Sequence, residues 1–145
     1  GDFEDINKGL TTAQAFIDQG ADVILPVAGQ VGEGAARAAL DSGTASIIWV
    51  DSDGYDTLSP DFRPVLLTSV LKNTGSAVVE IVKTSIDDTF DNAPFIGTLE
   101  NGGAGIAPFH VLAPRVSAEL SAEIDQLRSD IVAGTIVVTS PSTPR

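Results

Sequence analysis

The stretch from Asp22 to Asp53, DVILPVAGQVGEGAARAALDSGTASIIWVDSD, constrains the fold more than any other part of this 145-residue chain. Two short, almost uninterrupted apolar runs, Val23-Ile24-Leu25 and Ile47-Ile48-Trp49-Val50, are rich in β-branched residues and bounded by Asp, Pro and Gly. Runs of this kind suit parallel strands covered on both faces. Between them Gly29, Gly32 and Gly34 open a segment, Ala35 to Leu40, whose alanines let a helix lie close to a sheet. The pattern predicts a βαβ unit, and with it an α/β fold built on an open parallel sheet flanked by helices. In such sheets ligands sit beyond the carboxyl ends of the strands, where loops and helix N-termini converge. That edge carries Val27, Ala28, Gly29 and Gln30 after the first strand, and Asp51 and Asp53 after the second. Function is expected there.

Charge and composition remove several classes of function. A net charge of -12, with only eight Lys and Arg scattered along the chain, argues against nucleic acid as a partner, because neutralising phosphates needs a clustered basic face. The absence of cysteine removes thiol chemistry, disulfides and thiolate metal sites together. No apolar run approaches the roughly 18 residues that a membrane helix needs. The single histidine, His110, follows a Pro-Phe pair in a loop, with no second imidazole or thiolate to complete a metal or nucleophile site, and reads as structural. There is no G-x-S-x-G elbow, no P-loop lysine and no recognisable carboxylate pair, so nothing points to catalysis or to a cofactor. The glycines do not make a dinucleotide fingerprint either. Gly29-Gln30-Val31-Gly32-Glu33-Gly34 has the wrong order, and Glu33 would bring negative charge to the helix end that should receive a pyrophosphate.

Along the chain, Gly1 to Ile6 reads as a turn. Lys8 to Gln19 has Leu10, Ala13, Phe16 and Ile17 on one helix face, closed by Gly20. A parallel α/β domain ordinarily opens with a strand, so this opening is read as that of a fragment. After the central unit, Ser52 to Pro64 is a polar loop, and Val65 to Leu67 a short strand feeding a helix from about Ser69 to Ile86 with Thr68 or Ser69 as its cap. Lys72 then falls in the first helical turn, where a cation opposes the macrodipole. That placement leaves it either a solvated lysine or one with another task. Phe95 to Leu99 is expected to be a strand, Gly102 to Gly105 a turn, Val116 to Ala133 a helix stopped by Gly134, and Thr135 to Val138 a last strand. Residues 139–145 read as a polar, proline-bearing tail. Two carboxylates remain ambiguous. Asp53 is either a second hydroxyl acceptor or the cap of an ordinary Asp-Gly turn. Asp5 is a candidate near a cleft or hinge.

The segments GDFEDINKG, GADVILPVAGQVGEGAARAA, IIWVDSDGY, VLLTSVLKN and ENGGAGIAPFH, in this order and spacing, resemble the basic membrane lipoprotein (PnrA-like) family, substrate-binding proteins of ABC importers. The resemblance runs over nearly the whole chain and matches the later part of such a protein. It implies one lobe of a type I periplasmic-binding-protein fold, here the second, C-terminal lobe over residues 1–138, with the first lobe absent. It also implies a nucleoside or related ribosyl ligand, a purine nucleoside first among them, held between two lobes of a receptor that partners ABC permease subunits. The full-length parent would then be extracytoplasmic and anchored to the cell membrane as a lipoprotein. Carried over position by position, Val27, Ala28, Gly29 and Gln30 pack against the base, Asp51 accepts ribose hydroxyls, and Lys72 completes the polar ring. A carboxylate can accept both vicinal hydroxyls, and a nearby ammonium keeps it ionised. Where relatives often stack an aromatic ring on the base, this chain has Pro26 and Val27. A ligand-sensing regulatory protein of the same fold is the alternative reading, and a nucleotide-cofactor enzyme a more distant one.

Overall fold

The computed structural model describes residues 3–141. Four strands form one open sheet in the order β1-β2-β3-β4, flanked by helices: β1 is Val23–Ile24, β2 Ser46–Asp51, β3 Leu66–Lys72 and β4 Ala104–Ile106. The helices are α1 (Ile6–Asp18), α2 (Val31–Ser42), α3 (Gly54–Thr57), α4 (Thr74–Ile86) and α5 (Ala118–Val132), with 3-10 turns at Pro60–Val65 and His110–Arg115. β1 pairs β2 in parallel, Val23 opposite Ser46, and β2 pairs β3 in parallel, Val50 opposite Val70 and Asp51 opposite Leu71. The βαβ unit read from the sequence is thus β1-α2-β2. The open α/β sheet it implied is the observed fold class.

The chain divides into two compact units, Gly1–Leu71 with Ile106–Arg115, and Lys72–Gly105 with Val116–Arg145. In the first, Ala13 of α1, Ala35, Ala36, Ala38 and Ala39 of α2, Ile47 and Trp49 of β2 and Leu66 of β3 make the core. Small residues dominate because the layers sit close. A Cβ added to Gly34 would collide with the Ile6 carbonyl oxygen and the Leu10 nitrogen of α1, and one on Gly9 of α1 with the Val31 carbonyl oxygen. Helix α2 therefore begins earlier than its alanines alone indicate. Gly32 and Gly34, weak helix formers, lie inside it because their missing side chains are what let α1 and Trp49 approach. Asp5 caps α1 by accepting from the Lys8 N–H at 3.3 Å, which gives it a local structural task. Gly20, at φ 95°, closes that helix as expected, its N–H bonded to the Ile17 carbonyl.

In the second unit neither α4 nor α5 buries a single residue. Ser117 caps α5 through the Leu120 N–H at 3.1 Å, and Gly134, at φ 74°, follows its end. The loop before β4 is organised by Asn101, whose side chain donates to the Ile96 carbonyl and accepts from the N–H groups of Thr98 and Gly103.

Four sequence expectations need correction. The strand expected at Val65 to Leu67 runs on to Lys72, and α4 starts only at Thr74. Thr68 and Ser69 are buried strand residues rather than a helix cap, their hydroxyls bonded at once: Thr68 Oγ1 donates to the Ala107 carbonyl at 2.7 Å. Lys72 consequently ends a strand, and the macrodipole argument does not apply to it. Phe95 to Leu99 and Thr135 to Val138 are not strands, because β-branched content makes a strand only where a neighbouring ladder accepts it. Ser52 to Pro64 contains α3 and most of a 3-10 turn rather than loop alone. Parts of the opening turn and of the tail, residues 1–2 and 142–145, lie outside the described residues.

Candidate functional site

The carboxyl ends of β1 and β2 carry the residues expected to act. After β1 the chain turns through Leu25 to Gln30, with Val27 72% exposed, Ala28 half-buried, and Gly29 and Gln30 exposed. Gly29 adopts φ 58°, which a residue with a side chain rarely takes, and its carbonyl accepts from the Gly32 N–H at 3.0 Å as α2 begins. Gln30 is the residue before α2, and Glu33 lies in that helix's first turn, where its charge complements the macrodipole. Glu33 thus has a structural role. Ala28, with Lys8, Phe16, Leu25 and Pro26, lines a mostly apolar concavity of about 290 Å³ that includes neither Asp51 nor Asp53.

Asp51 closes β2 with an exposed side chain and φ 69°. The Ser52 N–H donates to the Val50 carbonyl at 2.9 Å, so Val50-Asp51-Ser52 is a three-residue turn of the positive-φ, strained kind. Holding a non-glycine residue there costs about 1–2 kcal/mol, which the surroundings must offset. They do so two residues on. Asp53 Oδ1 accepts from the Tyr55 N–H at 3.0 Å and from the Ser69 hydroxyl at 3.4 Å, and Oδ2 lies 2.7 Å from His110 Nε2. Both oxygens of Asp53 are therefore engaged within the protein, as the turn-cap reading requires. Ser69 Oγ also accepts from the Gly54 N–H at 3.0 Å, and Gly54 lies so close to Trp49 that a Cβ would stand 2.9 Å from its side chain.

The His110 ring stacks on Tyr55, centroids 4.1 Å apart and planes 12° from parallel. Arg63 covers the same Tyr55 ring at 4.5 Å while its Nε donates to the Tyr55 carbonyl at 3.1 Å. Sequence reading had set His110 aside as structural, and had not joined it to Asp53, Tyr55, Arg63 and Ser69. The one available signal was the pair of hydroxyl residues, Thr68 and Ser69, inside an otherwise apolar strand.

Lys72, the exposed last residue of β3, belongs to the second unit and is followed by Asn73, whose N–H donates to the Gly103 carbonyl at 3.0 Å. Among the described residues no three His, Cys, Asp or Glu side chains are grouped to hold a metal ion. Nor is any described helix long and apolar enough to cross a membrane.

Solved structures share this fold. A solute-binding protein from Aeropyrum pernix K1 superposes with a TM-score of 0.79 at 20% identity, over 98% of this chain and 46% of that one. A second, from Conexibacter woesei DSM 14684, gives 0.74 at 20% identity over 94% and 43%. A transcriptional activator of the comK gene from Bacillus halodurans gives 0.76 at 18% identity over 94% and 45%. Residues 1–141 match the PnrA-like family of ABC transporter substrate-binding proteins, and the chain belongs to that family. It is 33% identical to Basic membrane protein A of Borreliella burgdorferi over 97% of its own length and 40% of that protein's. It is 31% identical to Basic membrane protein A1 of Borrelia garinii subsp. bavariensis, over 95% and 40%. The chain thus spans about 40% of the length of these curated relatives.

Proposed function

We propose that this chain is the second lobe of an extracytoplasmic, lipid-anchored substrate-binding component of an ABC importer, and that the whole receptor takes up a nucleoside in a cleft between two lobes. The observation that carries the reading is Asp51: an exposed carboxylate at the end of a central strand, held at φ 69° by a turn that points to use rather than to packing. An ionised carboxylate accepts two hydrogen bonds at once, which matches the vicinal hydroxyls of a ribose. Lys72, exposed at the end of β3, is the further donor to the ligand in this reading. The turn Val27 to Gln30, exposed at Val27, Gly29 and Gln30, packs against the base. Asp53 serves first as the anchor of the Asp51 turn, holding the Tyr55 N–H and His110, with acceptor capacity left on its oxygens.

The bare helices of the second unit support the two-lobed reading. Val78, Val79, Ile81, Val82 and Ile86 of α4 are all exposed. Apolar side chains on one helix in that number are what a covering lobe elsewhere in the parent protein would bury.

The test is calorimetry on the full-length parent with purine and pyrimidine nucleosides, ribose and riboflavin. A nucleoside is expected to bind with a Kd of about 1 μM or tighter. Asp51→Ala should weaken it about 100-fold, the scale of two hydrogen bonds to a charged acceptor. Unchanged affinity in that variant would remove Asp51 from the site, and binding of ribose or riboflavin alone would replace the substrate class.

A further inference from the structure

Reading Asp51 as a ligand acceptor leaves open what fixes its direction, and the answer lies on the far side of the sequence. We infer that His110 is a positioning residue for Asp51: without touching ligand, it fixes the turn that presents that carboxylate by clamping Asp53 two residues further on.

The clamp is built from three separate parts of the first unit. Asp53 stands between the strained turn and α3, whose Tyr55 N–H its side chain caps. Ser69, from the middle of β3 and buried, holds both the Asp53 carboxylate and the Gly54 N–H. His110 arrives from the segment after β4, which is itself pinned to β3 by the Ala107 N–H to the Ser69 carbonyl at 2.9 Å and by Thr68 Oγ1 to the Ala107 carbonyl. The imidazole then meets Asp53 Oδ2 at 2.7 Å. Like Asp51, His110 has a positive φ, 42°. Two non-glycine residues in that region, joined through one carboxylate, mark a place where surroundings over-determine the backbone.

Other candidate roles for the histidine fit less well. Its ring nitrogen pairs with Asp53, its ring face lies on Tyr55, and among the described residues no metal-holding group includes it. A histidine serving the core alone would not need its ring nitrogen on the one carboxylate that caps the turn after Asp51. The pairing makes sense as support for a binding side chain one step removed, the usual way that an acceptor is held in direction.

The experiment uses the full-length parent and two variants, His110→Phe, which keeps a ring over Tyr55 but loses the bond to Asp53, and His110→Gln, whose amide can restore that bond. Three quantities are read: amide hydrogen exchange of Ser52 and Gly54 without ligand, nucleoside affinity, and thermal midpoint. His110→Phe should speed Ser52 exchange and weaken affinity by about tenfold each, and His110→Gln should return both to within about threefold of the native protein. A lower midpoint with Ser52 exchange and affinity unchanged makes His110 merely structural and overturns the inference. Faster exchange with native affinity overturns it as well. If His110→Phe does not fold, His110→Gln decides alone: about tenfold weaker affinity with a native midpoint would overturn the hydrogen-bond account, and near-native values in both uphold it. Should the native parent bind no nucleoside, the functional reading falls. The exchange arm then still decides whether His110 holds the turn.

Discussion

Helices α2 and α4 are nearly the same length, 12 and 13 residues, yet one is sunk in the protein and the other buries nothing. By side-chain size the order should be reversed. Helix α2 offers alanines and glycines, α4 four valines and isoleucines on a single stretch from Val78 to Val82, with Ile86 beyond. The difference teaches that burial follows from how closely a partner can approach, and less from how apolar a face is. Bare glycines let α1 and Trp49 come within contact of α2's backbone, so even small side chains there are enclosed. The larger side chains of α4 meet no such glycine-bared layer within the second unit, and Ile86 is 75% exposed.

The sharpest way to break this contrast is at Trp49, 8% exposed between Gly32 and Gly54. Trp49→Ala should cost about 3–5 kcal/mol in urea denaturation, from lost burial plus a cavity that two glycines cannot fill. For a domain whose whole stability is of order 5–15 kcal/mol, this is a large share of the total. A loss below about 1 kcal/mol would mean that the tight layer around α2 is not where the stability resides.

The same contrast explains what could be read from the sequence and what could not. Asp22 to Asp53 was legible because its signals are local and agree: β-branched runs, glycine punctuation and alanine spacing all favour one βαβ unit. Leu66 to Lys72 was misread because its apolar residues fit both periods, and Thr68 and Ser69 look like caps until a neighbouring strand claims them. Phe95 to Leu99 and Thr135 to Val138 failed for the opposite reason, strand-like composition without a continuing ladder: the first meets β4 through the Ala104 N–H to the Thr98 carbonyl at 3.2 Å, beside the turn that Asn101 organises. At the candidate site, Asp51 could be placed from the end of its strand, but its φ of 69° could not, since nothing in a sequence marks an aspartate for a γ-turn. The pairing of His110 with Asp53 spans 57 residues, and no local pattern connects them.

A second, smaller effect sharpens the comparison from the side of α4. Val82→Ser should change the stability of this chain by no more than about 0.5 kcal/mol, as at any exposed position. In the full-length parent the same substitution should cost about 1.5–3 kcal/mol if another lobe covers the helix there. Equal, small losses in both would leave α4 bare in the parent too, and would remove the main structural support for a covering lobe.

The smallest effect is expected on the outer face of α2, where Arg37 donates to Asp41 at 2.9 Å one turn on. The hydrogen bond that Arg37 donates to Asp41, and then the charge of Asp41, raise the Arg37 pKa from its ordinary value. A cation with a raised folded-state pKa contributes stability below its unfolded pKa and loses it only as pH climbs through the folded one. For arginine both lie far above the neutral range, so any contribution is constant across about pH 6 to 9. The pair is also open to solvent and salt, where such contacts are worth little. Arg37→Ala should therefore leave the thermal midpoint unchanged within error at physiological salt, with no pH dependence. A clear, salt-sensitive drop would show that the exposed face of α2 also holds the first unit together, and the contrast with α4 would no longer rest on the buried layer alone.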